Sequence, residues 1–215
     1  NVDDEDSLAP CLENRGGKKP LDIAVVRLPR ISNFTDFSLL DEHPAMGVRY
    51  VQSVRELGNP DLVILPGTKS TLSDLLWLRQ SGLEAAVCKL AHTGTPVLGI
   101  CGGYQMLGET LSDPHGTEGG GEMHGMGLLP IDTVFSDRKT RTRMQAKVLA
   151  PDFAGAKLDG YEIHTGKTTV RGDAFCLLEN GQPDGCVSGN VFGTYLHGVF
   201  DTGSLTQKLA EYLCA

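Results

Sequence analysis

The stretch Gly99-Ile100-Cys101-Gly102-Gly103-Tyr104-Gln105 sets a thiol among glycines directly after the apolar run Pro96-Val97-Leu98. Flanking glycines let a strand turn sharply into a helix without Cβ clashes, which is the layout of a nucleophile elbow. Such a turn stands the thiol proud of a sheet. It also puts the sulfur at a helix N-terminus, where the positive end of the dipole favours thiolate. Near the other end of the chain, Gly193-Thr194-Tyr195-Leu196-His197-Gly198 delivers a histidine from a β-rich apolar run. An imidazole there can take the thiol proton and return it to a leaving amine. The pair predicts acyl transfer with Cys101 as nucleophile and His197 as base and then acid.

A tetrahedral oxyanion needs donors placed before the reaction. The backbone N–H of Gly102, just after the nucleophile, is one candidate. The N–H of Gly67 or Thr68, in Leu65-Pro66-Gly67-Thr68, is the other, because neighbouring ends of parallel strands bring their loops together. Gln105 stands four residues after Cys101, one helical turn on and on the same side. His115, Glu118, Glu122 and His124 are metal-ligating types within residues 113–127. The glycine density and irregular spacing there read as a surface loop. With no Cys-x-x-Cys or His-x-x-x-His pair to suggest zinc, no metal site is expected. Gly67-Thr68-Lys69-Ser70-Thr71 lacks the adjacent Gly-Lys and upstream glycine of a phosphate-binding loop, so no ATP site is expected in this chain.

The elements that must position these groups alternate. Leu21 to Leu28, Gly47 to Gln52, Asp61 to Leu65 and Thr95 to Ile100 read as strands. Thr71 opens a helix with a capping-box-like acid at Asp74, and Leu75, Leu76 and Leu78 supply its apolar face. Leu83 to His92 is a second helix, closed by Gly94. Strands alternating with helices predict an α/β fold with a mostly parallel central sheet flanked by helices. After about residue 127 the pattern changes. Arg143 to Leu149 alternates, with Met144, Ala146 and Val148 on one face. Short strands near 160–170, 174–178 and 184–197 predict antiparallel additions to the same sheet, and Ser204 to Leu213 a closing helix.

Composition bounds the function. The 215 residues suit one domain or one domain plus a tail, and 40% apolar with 21% charged residues supports a full core. A net charge of −8 disfavours nucleic acid or an anionic membrane as partner. No apolar run approaches the ~20 residues of a membrane helix. The six cysteines read as reduced thiols, so a cytoplasmic setting is expected. The acidic start leads into Asn14-Arg15-Gly16-Gly17-Lys18-Lys19-Pro20, a linker composition. Residues 1–19 are therefore expected to be a linker from a preceding domain, and 20–215 the folded domain.

The pattern Gly-x-Cys-x-Gly-x-Gln at residues 99–105 resembles the nucleophile signature of class I glutamine amidotransferases. With Leu65-Pro66-Gly67-Thr68-Lys69-Ser70-Thr71, Gly160-Tyr161-Glu162-Ile163-His164 and Tyr195-Leu196-His197-Gly198, the chain is similar over residues 20–215 to glutaminase domains of the cobyric acid synthase family. That resemblance implies that Gln105 and Thr68 help hold a substrate glutamine. It implies no cofactor in this domain, and ATP with Mg²⁺ in an N-terminal synthetase domain of the same polypeptide. The ammonia released would amidate corrinoid carboxylates, converting adenosylcobyrinic a,c-diamide to adenosylcobyric acid, with the corrinoid bound mainly by the synthetase domain.

One departure stands out. Most class I amidotransferases follow the catalytic histidine with x-Glu, which orients the imidazole, whereas Gly198 and Val199 follow His197. The cobyric acid synthase family lacks that glutamate. Glu162 and His164, or a group from the synthetase domain, are the candidates to orient the ring, and His197 is expected to be incompletely oriented when this domain stands alone. The alternatives are the glutaminase domain of cobyrinic acid a,c-diamide synthase or of a cell-wall amidating enzyme. More distant is an α/β-hydrolase-type cysteine hydrolase, for which Asp184 precedes His197 in the right order.

Overall fold

The computed structural model describes residues 19–215, with only the backbone given for 137–141. The expected linker therefore lies outside the described residues except for Lys19, whose Nζ pairs with Asp41 and bonds the His43 carbonyl at 3.2 Å. In chain order the first half runs β1 (Leu21–Val26), a 3-10 turn (Phe34–Phe37), α1 (Ser38–Glu42), β2 (Met46–Val51), α2 (Val54–Leu57) and β3 (Leu62–Leu65). Then come α3 (Thr71–Gln80), α4 (Leu83–His92), β4 (Val97–Ile100) and α5 (Gly102–Met106). The second half is β5 (Thr110–Asp113), β6 (Gly121–His124), β7 (Ile131–Val148), β8 (Lys157–Val170), β9 (Cys176–Leu178), β10 (Pro183–Asp184), β11 (Cys186–Ser188), β12 (Val191–Thr194), β13 (Leu196–His197) and α6 (Ser204–Leu213).

The central sheet has the order β11-β12-β4-β3-β1-β2, parallel throughout except for β11 at one edge. Its inner strands read as unbroken apolar runs because both faces are covered. In β1, Leu21, Ile23 and Val25 join the core that α1 and α6 help to cover. Ala24 and Val26 join the core built with α3, α4 and Tyr104. The Thr71 start of α3 matches the sequence expectation, but its capping is different. Ser70 is the N-cap and makes no side-chain cap bond. The fully buried Asp74 carboxylate turns away to accept from the Arg30 N–H and guanidinium, both at 3.1 Å, and from the Thr68 hydroxyl at 2.5 Å. Of the expected apolar face, Leu75 and Leu78 are buried and Leu76 is exposed.

The antiparallel strands do not simply extend the central sheet. Of them only β11 joins it, and the others form a second sheet in which β7 is the spine, pairing β5, β8 and β9. This corrects the expectation of one extended sheet. β12 belongs to the central sheet and β13 to the second, so the chain changes sheets between Thr194 and Leu196. Asp184 braces that crossing, accepting from the Thr194 hydroxyl and from the Tyr195 N–H at 3.2 Å. His197 thus sits at the seam, opposite Tyr161 of β8.

Candidate active site

β4 ends at Ile100 and the chain turns at Cys101 with φ 52° and ψ −109° before entering α5. Among the described non-glycine residues only Cys101 and Asn33 have a positive φ. Such backbone costs on the order of 1–3 kcal/mol and persists only where its surroundings enforce it. Here the Cys101 N–H donates to the Thr194 carbonyl at 2.9 Å, its carbonyl accepts from Gln105 N–H at 3.0 Å, and the Gly103 N–H donates to the Pro66 carbonyl at 3.1 Å. The neighbouring glycines are obligatory for packing. A Cβ on Gly99 would lie 2.8 Å from the Tyr104 nitrogen, and one on Gly103 would lie 2.0 Å from the Leu65 oxygen. α5 is only five residues long, so what it offers the sulfur is its first free N–H groups rather than a long dipole. The thiol lies 3.2 Å from the Ile163 carbonyl of β8.

His197 is 1% exposed, and its Nδ1 lies 2.8 Å from Oδ2 of Asp36, itself 5% exposed. An ionised carboxylate only accepts, so Nδ1 carries a proton in either charge state, and in the neutral ring Nε2 presents the lone pair. The Cys101 thiol is in hydrogen-bond reach of the ring. Burial alone pushes the imidazole pKa down, but the bond to Asp36 and the nearby sulfur outweigh it and raise it to about 9. The Tyr161 ring stacks on the imidazole at 5.4 Å between centroids.

The ring is therefore oriented by a group of this chain, which corrects the expectation that it stands incompletely held. Glu162 and His164 do not orient it: they bond each other, Oε1 to Nε2 at 2.5 Å, and His164 stacks on Tyr195 at 3.7 Å. His164 nevertheless borders the cavity of Cys101, whereas Glu162 borders a neighbouring one. Asp184, the acid of the hydrolase alternative, bonds Thr194 and Tyr195 at the sheet crossing instead. Two residues after His197, beyond the turn at Gly198 with φ 72°, stands the fully buried Val199, so the imidazole takes its carboxylate from Asp36 instead. Asp36 went unread in the sequence because residues 29–46 carry no clear periodicity. The available signal was an acid between Phe34 and Phe37, in the loop leaving the carboxyl end of β1, where α/β sheets place ligands. Phe37 packs on Phe200 at 6.4 Å, which ties the turn carrying Asp36 to the segment after His197.

Cys101 and His197 share a cavity of about 350 Å³ with Asn33, Thr68, Gln105 and Glu118. Gly102 directly follows Cys101 at the head of α5, and Gly67 lies against His197. A Cβ on Gly102 would lie 3.3 Å from the Thr68 nitrogen, and one on Gly67 would lie 2.7 Å from His197 Cε1. The Gly67–Thr68 loop thus packs against the start of α5 and against the imidazole. Gln105 is 2% exposed, and its amide is engaged at both ends. Its oxygen accepts from Thr71 at 3.0 Å, and its nitrogen donates to the Thr165 carbonyl and the Tyr195 hydroxyl, both at 3.1 Å. The Thr68 hydroxyl is likewise turned to Asp74 and the Arg30 carbonyl, so Thr68 faces the cavity with its backbone and methyl group. The glycine-rich loop is built on Asp113, which accepts from the N–H groups of Thr117, Glu118 and Gly120 at 2.6–2.9 Å. Despite its desolvation, these bonds hold the Asp113 carboxyl below its ordinary range. Glu118 leaves this loop to accept from the Leu72 N–H at 3.1 Å, closing one side of the cavity.

Residues 22–205 match the family model of the CobB/CobQ-like glutamine amidotransferase domain. Cobyric acid synthase of Ruminiclostridium cellulolyticum is 48% identical over 99% of this chain and 44% of its own length. The Klebsiella pneumoniae protein of the same name is 46% identical over 99% of this chain and 45% of its own length. The chain thus spans less than half the length of these curated relatives. Among solved structures, PurLQS from Thermotoga maritima superposes with a TM-score of 0.69 at 20% identity, covering 91% of this chain and 100% of that one. A glutamine amidotransferase from the same organism gives 0.61 at 12% identity, covering 92% and 100%. At such identities these two likenesses concern the fold, which is that of class I glutamine amidotransferases.

Proposed function

Because the chain belongs to the family of CobB/CobQ-like glutamine amidotransferase domains, we propose that it hydrolyses the side-chain amide of glutamine at Cys101, feeding ammonia to an ATP-dependent amidation of corrinoid carboxylates in cobalamin biosynthesis. The observation that carries this reading is the strained Cys101 elbow sharing one cavity with a His197–Asp36 pair. The Cys101 thiolate forms a C–S bond to the carboxamide carbon, and the oxyanion takes N–H donors from Gly102 and from Gly67 or Thr68. His197 imidazolium protonates the amide nitrogen, the C–N bond breaks, and ammonia leaves. Water then attacks the thioester, His197 takes its proton, and glutamate is released as the thiolate returns. Gln105, with its amide engaged, supports the pocket wall rather than grasping substrate freely.

The longer relatives named cobyric acid synthase support a synthetase domain in the same polypeptide, which would bind ATP, Mg²⁺ and most of the corrinoid, adenosylcobyrinic a,c-diamide. No helix of the described residues is long and apolar enough to cross a membrane.

Labelling with the glutamine mimic diazo-oxo-norleucine, mapped by mass spectrometry, tests the glutaminase reading. Modification at Cys101, blocked by glutamine and absent in Cys101→Ser, is expected. A Cys101 that iodoacetamide alkylates but the mimic never labels, with or without the synthetase domain, would refute a glutamine site. Gly67→Ala is expected to lower kcat/KM ~10²-fold by displacing the imidazole. Its melting temperature should fall only modestly, because the contacts are to the side chains of His197 and Ser32 and Gly67 has no positive φ.

A further inference from the structure

Asn33 is the other non-glycine residue with a positive φ, at 53°, and like Cys101 it borders the catalytic cavity. It occupies the N-cap of the 3-10 turn that carries Asp36, a place where asparagine ordinarily caps the turn with its side chain, yet it makes no cap bond. Its amide is turned toward His197 instead. Nδ2 lies 3.4 Å from Nε2, and Oδ1 accepts from the Tyr161 hydroxyl at 3.2 Å. Tyr161 is the residue whose ring stacks on the imidazole. In the neutral ring Asp36 accepts from Nδ1–H, which leaves Nε2 as the acceptor nitrogen and the Asn33 NH₂ as its matched donor, whereas in imidazolium both nitrogens donate and that match is lost.

We propose that Asn33 is a positioning residue that works against Asp36: its amide favours the unprotonated Nε2, so that His197 gives its proton up to departing ammonia. This inference rests on the glutaminase reading. A hydrogen bond made to the neutral form of a base disfavours the charged form. Asp36 at Nδ1 acts in the opposite sense and favours imidazolium. Two residues three apart on one short segment thus bias the two ring nitrogens in opposite directions. A group that must first take a proton and then release it is served by both. The other ionisable groups around His197 are Cys101 at the head of α5 and Tyr161 on β8, while Asp201 lies beside Gly198 and acts on Asp36 and Asp159. Lys69, Glu118 and His164 border the same cavity. Of these only Tyr161, whose hydroxyl donates to Asn33, loses a bond when Asn33 is changed.

The variant that isolates the side chain is Asn33→Gly, because glycine adopts φ 53° without strain. Two readouts are needed in the 215-residue chain: the His197 ring titration by NMR, and the alkaline limb of kcat/KM for glutamine. The expected result is a rise of ~0.5–1 unit in both, the size of one net hydrogen bond. kcat should fall while the melting temperature is unchanged. Asn33→Asp should raise both values further. An unchanged or lowered His197 titration in folded Asn33→Gly would overturn the proposal, and a lowering would mean that the amide oxygen faces Nε2. Wild-type protein that releases no ammonia from glutamine would refute the glutaminase reading, while the NMR titration would still decide whether Asn33 biases the ring.

Discussion

Asp36→Asn is expected to cut kcat ~10⁴-fold, the scale seen when the carboxylate orienting a catalytic histidine becomes an amide. The argument is geometric. Asp36 Oδ2 sits 2.8 Å from Nδ1 in a pocket where both residues are almost fully buried. The carboxylate can only accept, so it admits one tautomer. An amide at the same place can donate to Nδ1 and leave the proton on Nε2, where it cannot receive the thiol proton. The variant also loses a negative charge that offsets the burial of His197, so the pKa of about 9 should fall and the alkaline limb of the pH profile move down with it. Asp36→Glu, which keeps the charge on a longer arm, should recover part of the rate. The measurement is kcat across pH 6–10 with and without the synthetase domain. A loss under ~10-fold in both would show that His197 is oriented by some other group.

Gly103→Ala is expected to destabilise the fold by ~3–5 kcal/mol, at the high end for a single substitution. A Cβ there would stand 2.0 Å from the Leu65 oxygen, 2.5 Å from its carbonyl carbon and 2.8 Å from the Pro66 oxygen. All three are backbone atoms, so no rotamer change relieves the contact. α5 must lift away from the end of β3, which also breaks the bond from the Gly103 N–H to Pro66. That bond holds the Gly67 loop beside Cys101, so whatever folded protein remains should lose activity as well. Thermal unfolding followed by circular dichroism should show a drop of ~10 °C or more for a domain of this size. A melting temperature within ~2 °C of wild type would mean that β3 and α5 are less closely joined than this geometry requires.

The local chemistry of the chain was legible without coordinates. Cys101 among its glycines implied an elbow, and the positive φ at Cys101 with the tight contacts at Gly99 and Gly103 is that elbow. The apolar runs of β1, β3 and β4 implied a parallel sheet covered on both faces, because burial on both sides removes the alternation a half-exposed strand would show. α4 was bounded correctly at Leu83 and His92, since helical periodicity and a closing glycine are short-range signals. Family membership was likewise carried by short motifs, which keep their meaning wherever they lie along the chain.

What the sequence could not determine depended on pairing between distant residues. The long β7 and β8 alternate as any half-buried strands do, and nothing in that pattern says whether they extend one sheet or build a second; register across the chain decided it. Asp36 is separated from His197 by 161 positions, and its segment lacks periodicity, so only folding showed which carboxylate meets the imidazole. Glu162 and His164, close in sequence to each other and plausible by motif, met one another instead. Residue type and local spacing determined that this chain carries a thiol nucleophile and an imidazole. Tertiary structure alone decided what holds that imidazole, because a buried hydrogen bond depends on where two segments are brought together and not on their order along the chain.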